Sequence, residues 1–234
     1  MLFELMLWKN HLRLLWVMWR VVLLGLFCLV PLTTWGEEGA GCPRSEQAVQ
    51  IEVHFEAGYP FVDDSRSSGW IQAQAKGMHH PIGLTVSRLR HSLLGVFEWR
   101  GTPQRQTRCL YLRSLKLALS YPELKVYIAN NYRPGSCEYQ AIHRHEMEHV
   151  RILNRHQEMY LAQLRERLQG LVQQQGGILI QPRELEQKKQ EILQRFDQEI
   201  LRELQRVDLK QKAAQAAIDT AQSYAQVRSV CQGW

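Results

Sequence analysis

Ser136-Cys137-Glu138-Tyr139-Gln140-Ala141-Ile142-His143-Arg144-His145-Glu146-Met147-Glu148-His149 opens a run that is free of proline as far as Leu171, with glycine only at Gly170. Within it Ile142, Ile152, Leu153, Tyr160, Leu164, Leu168 and Leu171 recur at the period of a helix with one apolar face. Its start is marked by Arg133-Pro134-Gly135-Ser136: a turn, then an N-cap serine, with Glu138 placed where a helix carries partial positive charge. The spacing predicts a helix over 138–171. His145 and His149 lie on the apolar stripe one turn apart, so both rings are expected to face inward. An H-E-x-x-H pentapeptide in that setting brings two imidazoles to where they can share a Zn²⁺, with Glu146 beside them as the base for a water molecule. The competing reading is a pair of core histidines satisfied by hydrogen bonds, with Glu146 a solvated helix residue.

A catalytic zinc needs a third protein ligand. His156 is excluded, because in an unbroken helix it lies about 16 Å along the axis from His145. A second helix is predicted over 182–210, opened by Pro182 and carrying Leu185, Ile192, Phe196, Ile200 and Val207 on one face. Glu203 interrupts that face. Folding the two helices into an antiparallel hairpin about Gly176-Gly177 sets Glu203 opposite His149, so Glu203 is the expected third ligand, with Asp208, Glu199, His79, His80 and His91 as alternatives. An ion pair with Arg206 or Lys210 is its ordinary role.

Elsewhere the text is that of an exported chain. Lys9, Arg13 and Arg20 precede the apolar run Val21 to Val30, then Pro31 and the small residues Thr34 and Gly36; residues 1–36 are expected to be a signal peptide, with an uncleaved membrane anchor as the alternative. The remainder, 37–234, is large enough for a single domain. It keeps four cysteines, an even count that in an exported protein reads as two disulfides, and it has no C-x-x-C pair that would suggest a thiolate zinc site. Val49, Ile51, Val53 and Phe55 alternate with polar residues as in a half-buried strand. Cys109 to Leu119 and Lys125 to Ala129 read as a hairpin turning at Ser120-Tyr121-Pro122-Glu123, which would bring Cys109 near residue 135. The expected pairs are therefore Cys109 with Cys137 and Cys42 with Cys231. The net charge of +6 and pI near 9.2 owe part of their excess to the leader, and no basic stripe with interleaved aromatics appears, so nucleic acid is not an expected partner. Weak attraction to an anionic envelope surface is consistent with the charge.

These elements add up to an α+β fold: a small antiparallel sheet packed on a zincin-like HExxH helix, followed by a long antiparallel helical hairpin. The stretch Val126-Tyr127-Ile128-Ala129, Tyr132, Pro134-Gly135-Ser136-Cys137, Tyr139, Ala141-Ile142 and HEMEH resembles a family of uncharacterised secreted bacterial proteins grouped with gluzincin-type zinc metallopeptidases. The similarity covers mainly Cys109 to about His156, with weaker echoes in Cys42-Pro43, Ser65-Arg66-Ser67, Gly83-Leu84-Thr85 and Asp219-Thr220 to Cys231. It implies that His145 and His149 bind zinc and that Glu146 is the catalytic base. The expectation is a periplasmic or secreted zinc peptidase acting on a peptide or protein substrate, with Tyr224 as a transition-state hydrogen-bond donor. The alternative is a non-catalytic envelope scaffold or metal-binding protein, whose hairpin between Glu138 and Asp208 docks a partner helix.

Overall fold

In the computed structural model the described residues are 41–75, 81–101 and 106–234; the expected leader over 1–36 and the candidate ligands His79 and His80 lie outside them. The elements are β1 (Gln50–Glu56), β2 (Phe61–Asp63), α1 (Ser68–Gln74), β3 (Gly83–Arg100), β4 (Arg108–Ile128), α2 (Cys137–Gln175), β5 (Ile178–Ile180), a 3₁₀ turn (Pro182–Glu184), α3 (Leu185–Ile218) and α4 (Ala221–Ser229). The fold is a mixture of sheet and helix organised by one strand. β4 pairs along its length with β3, while β1, β2 and β5 share its other edge.

Two expectations fail on this strand. The segment read as a hairpin is a single continuous strand of 21 residues. Proline lacks the ladder donor, and Pro122 is accommodated where both neighbours give way: β3 shifts register between Arg88 and Arg90, and on the other edge β1 ends opposite Ser120 while β2 begins opposite Lys125. The sheet is also not antiparallel throughout. β3 and β5 run antiparallel to β4, but β1 and β2 run parallel to it. Alternation of apolar residues reports which side chains face the core and says nothing of strand direction.

The disulfide pairing follows from the strand. Cys109 stands at one end of β4 and the residues leading to Cys137 leave from the other, roughly 60 Å of extended chain away. The bonds join Cys42 to Cys109 and Cys137 to Cys231, correcting both expected pairs. Two such bonds are the covalent pattern of an oxidising, non-cytoplasmic compartment. Among the described residues no helix is long and apolar enough to cross a membrane.

The helical hairpin forms as expected, with longer arms. Ser136 caps α2 through the backbone N–H of Tyr139, and Gly176, at a φ of 58° that favours glycine, ends it. The main core joins Leu115, Leu117 and Leu119 of β4 to Leu164 and Leu168 of α2 and Ile192, Phe196 and Ile200 of α3. A second cluster around Val126, Ile128, Ile142, Val150 and Leu153 fastens the motif turn of α2 onto the far half of β4. At about 25 cal/mol per Å², each fully buried leucine or phenylalanine here contributes on the order of 2 kcal/mol. The motif is thereby anchored on a rigid layer.

Candidate metal centre

The third partner of the histidines comes from the break between the last two helices. Asp219 is the C-cap of α3, its backbone N–H donating to Ala216, and the next residue, Thr220, is the N-cap of α4 with a reciprocal Thr220–Ser223 capping box. Held by caps on both sides, Asp219 has little backbone freedom. Its Oδ1 lies 3.2 Å from His145 Nε2 and 3.1 Å from His149 Nε2, and it accepts the Tyr224 hydroxyl at 3.0 Å. Each His and Asp219 offers one ligand atom, and all three lie within 4.8 Å of one another. Tetrahedral zinc with bonds of about 2.0–2.1 Å spaces its ligand atoms roughly 3.3 Å apart, so the two histidine–aspartate separations already match one metal's coordination edges. The group can hold a metal ion.

Gln215, one turn before Asp219 on α3, sets the tautomer of His149. Its amide Nε2 donates to the His149 carbonyl oxygen at 3.0 Å, which leaves its Oε1 as acceptor for the His149 ring at Nδ1. With one proton held at Nδ1, the proton that Nε2 donates to Asp219 in the metal-free chain is the one a metal would displace, leaving Nε2 the lone pair it requires.

Glu146 is 2 % exposed and pressed against the first residues of β3. Thr85 Oγ1 donates to its Oε2 at 2.8 Å. A side chain at position 83 would collide with Glu146 Oε1 and come within 2.8 Å of its Cγ and of Ile142 Cγ2, so Gly83 is what admits the carboxylate. Burial pushes the Glu146 carboxyl above the ordinary range, against the opposing pull of His149, Thr85 and His145. For His149 burial works against the charged form, but the Asp219 hydrogen bond and the Glu146 and Asp219 carboxylates outweigh it, and the net shift is upward. Asp219 moves down: burial opposes this, and hydrogen bonds from both histidines and Tyr224 prevail. Burial and the neighbouring Asp219 carboxylate raise the Tyr224 phenol, which keeps its proton.

Glu146, His149, Asp219 and Tyr224 line one end of a cavity of about 250 Å³, bounded by β3, Tyr121 of β4, α2 and α3. His145 is reached from the other side, from a surface hollow with Gln226 and Val227.

The expected inward facing of both motif rings is found, with side chains 9 % and 8 % exposed. Tyr224 does stand at the site. Glu203 does not: it is ion-paired with Arg206 at 2.9 Å and Arg167 at 3.8 Å, about 24 Å along α3 from Asp219. The hairpin register explains the error. His149 faces Gln215, a dozen residues beyond Glu203, because β5 and the 3₁₀ turn separate the arms and displace the fold-back from Gly176-Gly177. Of the alternatives, His91 pairs with Asp197, Glu199 with Arg202 and Arg167, and Asp208 reaches only the cavity lining. Asp219 lies beyond the apolar stripe of α3, and its signals in the sequence are the weak resemblance of Asp219-Thr220 to Cys231 and Thr220-x-x-Ser223 starting a new helix. No protein-family model, curated protein or solved structure matches this chain.

Proposed function

We propose that this chain is an exported zinc-dependent metallopeptidase, its peptide-bond hydrolysis carried out in a zincin-like α+β domain. The convergence of His145, His149 and Asp219 on one point, with the motif glutamate buried at the same cavity wall, carries this reading. The donor set fits zinc: two imidazoles and one carboxylate leave a fourth tetrahedral position open, as catalytic rather than structural sites do. Zinc bound there would supply a Lewis acid that polarises a carbonyl and acidifies water.

The chain's own residues do the rest. Glu146 takes the proton of the attacking water and returns it to the leaving amine, serving as base and then as acid. Thr85 fixes the carboxylate's orientation through Oε2. Tyr224 retains its phenolic hydrogen, which it gives to Asp219 here, and stands beside the ligands where turning that hydrogen toward a developing oxyanion would make it the donor. Among the described residues β3 pairs with no strand other than β4, and an extended substrate backbone adding to its outer edge would run past Thr85 toward Glu146.

The test is zinc stoichiometry and peptide hydrolysis of wild type beside Glu146→Gln. The variant is expected to keep one zinc and lose hydrolysis. A wild-type chain that binds no zinc, or one that binds it and cleaves no peptide in a broad library, overturns the proposal; the second outcome describes a metal-binding protein without turnover.

A further inference from the structure

The two ends of the long β3–β4 ladder carry different chemistry. Thr85, near the start of β3, meets Glu146 beside the metal group, whereas Arg100 closes the strand fifteen residues later, roughly 50 Å away along an extended chain. At that remote end the register sets Arg100 of β3, Cys109 of β4 and Leu179 of β5 side by side. Trp99 and Leu179 are large apolar residues left 43 % and 44 % exposed there. The Arg108 guanidinium stacks on the Trp99 ring, 3.6 Å from its centroid. Among the described residues no carboxylate pairs with Arg108, since Glu98 is taken by Arg100 and by Arg113 at 3.0 Å. Arg44, also exposed, is brought to the same end by the Cys42–Cys109 bond and by the Tyr111 hydroxyl, which donates to the Pro43 carbonyl at 2.9 Å. Four arginines thus meet two carboxylates, Glu98 and the Glu46 that acts on Arg100.

The same disulfide fixes where the chain enters this body. Cys42 is bonded beside the start of β4, so the residues before it lead away from the arginine end and not from the metal group. The apolar run Val21 to Val30 closes twelve residues before Cys42, a span of at most roughly 40 Å. Whether it serves as signal or as anchor, such a run partitions into a bilayer, and the short connection keeps the arginine end within that reach of the lipid. The exposed groups suit this neighbour. Tryptophan seats at the boundary between headgroups and acyl chains, arginine lays its apolar stem on lipid while its guanidinium holds a phosphate, and an excess of positive charge attracts anionic lipid.

We propose that this end of the sheet, through Arg44, Trp99, Arg100, Arg108 and Leu179, docks on a bilayer containing anionic lipid, with the metal group at the opposite end of β3. The test needs neither metal nor hydrolysis, so it stands or falls separately from the peptidase reading. The full chain is labelled with a fluorophore at Gln106→Cys, an exposed position two residues from Arg108, or separately at Gln222→Cys, exposed beside His145. It is titrated with vesicles bearing a nitroxide quencher on their headgroups, made of phosphatidylcholine alone or with phosphatidylglycerol added. The label at 106 is expected to be quenched and the label at 222 spared, with a midpoint at least about tenfold lower on the anionic vesicles. Arg44→Glu and, independently, Arg108→Glu combined with Trp99→Ser are each expected to raise that midpoint at least about tenfold, an unchanged thermal melt showing that the fold is kept. An apolar leader that alone holds the chain on vesicles would give quenching indifferent to headgroup charge and to these substitutions. That result, equal quenching of the two labels, or no quenching of either overturns the proposal.

Discussion

Exchanging Asp219 for asparagine separates the ligand set proposed here from the one expected from helix periodicity. The substitution keeps the side chain's shape and an oxygen able to accept the Tyr224 hydroxyl, but removes the negative charge that both histidine Nε2 atoms face at 3.1–3.2 Å. Four-ligand zinc sites in peptides are worth about 10–16 kcal/mol, so one ligand of comparable strength accounts for about 3 kcal/mol, or on the order of 100-fold in affinity. Glu203→Gln is the paired control. Its carboxylate serves a surface ion pair with Arg206 and Arg167, worth at most about 1 kcal/mol of stability and nothing toward a metal. Competition with a chromophoric chelator reads both constants at one pH. The reasoning is refuted if Asp219→Asn binds zinc within about threefold of wild type, or if Glu203→Gln is the variant that releases it.

Three further outcomes are expected. Gly83→Ala drives a methyl group into the Glu146 carboxylate, so hydrolysis should fall at least tenfold with zinc content unchanged and with a loss of about 1–3 kcal/mol in denaturant melts; full activity would show that the carboxylate has room to move. Replacing Cys137 and Cys231 by alanine frees the segment that carries Asp219 and Tyr224 from the start of α2, and should cost about 2–4 kcal/mol of stability and weaken zinc binding, whereas replacing Cys42 and Cys109 should affect stability alone; equal zinc affinity in the two double variants would deny the tie a role at the site. In the metal-free chain His149 is raised and Asp219 lowered, so their contact stabilises most between the unfolded carboxyl and imidazole ranges, about pH 4 to 6.5, and is lost as the pH rises through the folded His149 value or falls through that of Asp219. The melting-temperature gap between wild type and Asp219→Asn in excess chelator should therefore narrow from pH 6 to pH 9, and a widening gap would contradict the assignment.

The parts of this molecule that could be read from its residues are those where a local period and a cap agree. Ile142, Leu153, Leu164 and Leu168 on α2 and Ile192, Phe196, Ile200 and Val207 on α3 are buried as their spacing requires, and Ser136 caps where a serine after Pro-Gly should. The strand alternation from Gln50 to Glu56 holds for the same reason. What escaped was set by partners distant in sequence. Pro122 looks like a turn until two neighbouring strands are seen to interrupt their ladders around it. A fold-back at Gly176-Gly177 sets Glu203 opposite His149, but three-residue β5 and the 3₁₀ turn, which no period marks, shift the pairing by about three helical turns to Gln215. Asp219 belongs to no stripe, since a helix end presents its side chain by the geometry of the caps and not by the period of the helix.

The carboxylate between the two terminal helices has a consequence for timing. A polypeptide that emerges amino end first must deliver seventy residues after the second imidazole before the aspartate that completes the triad exists. Until then the sheet and the long helix can form around two histidines that lack their third partner. The hydrolytic centre proposed here would therefore be assembled only after its supporting sheet and long helix have been made.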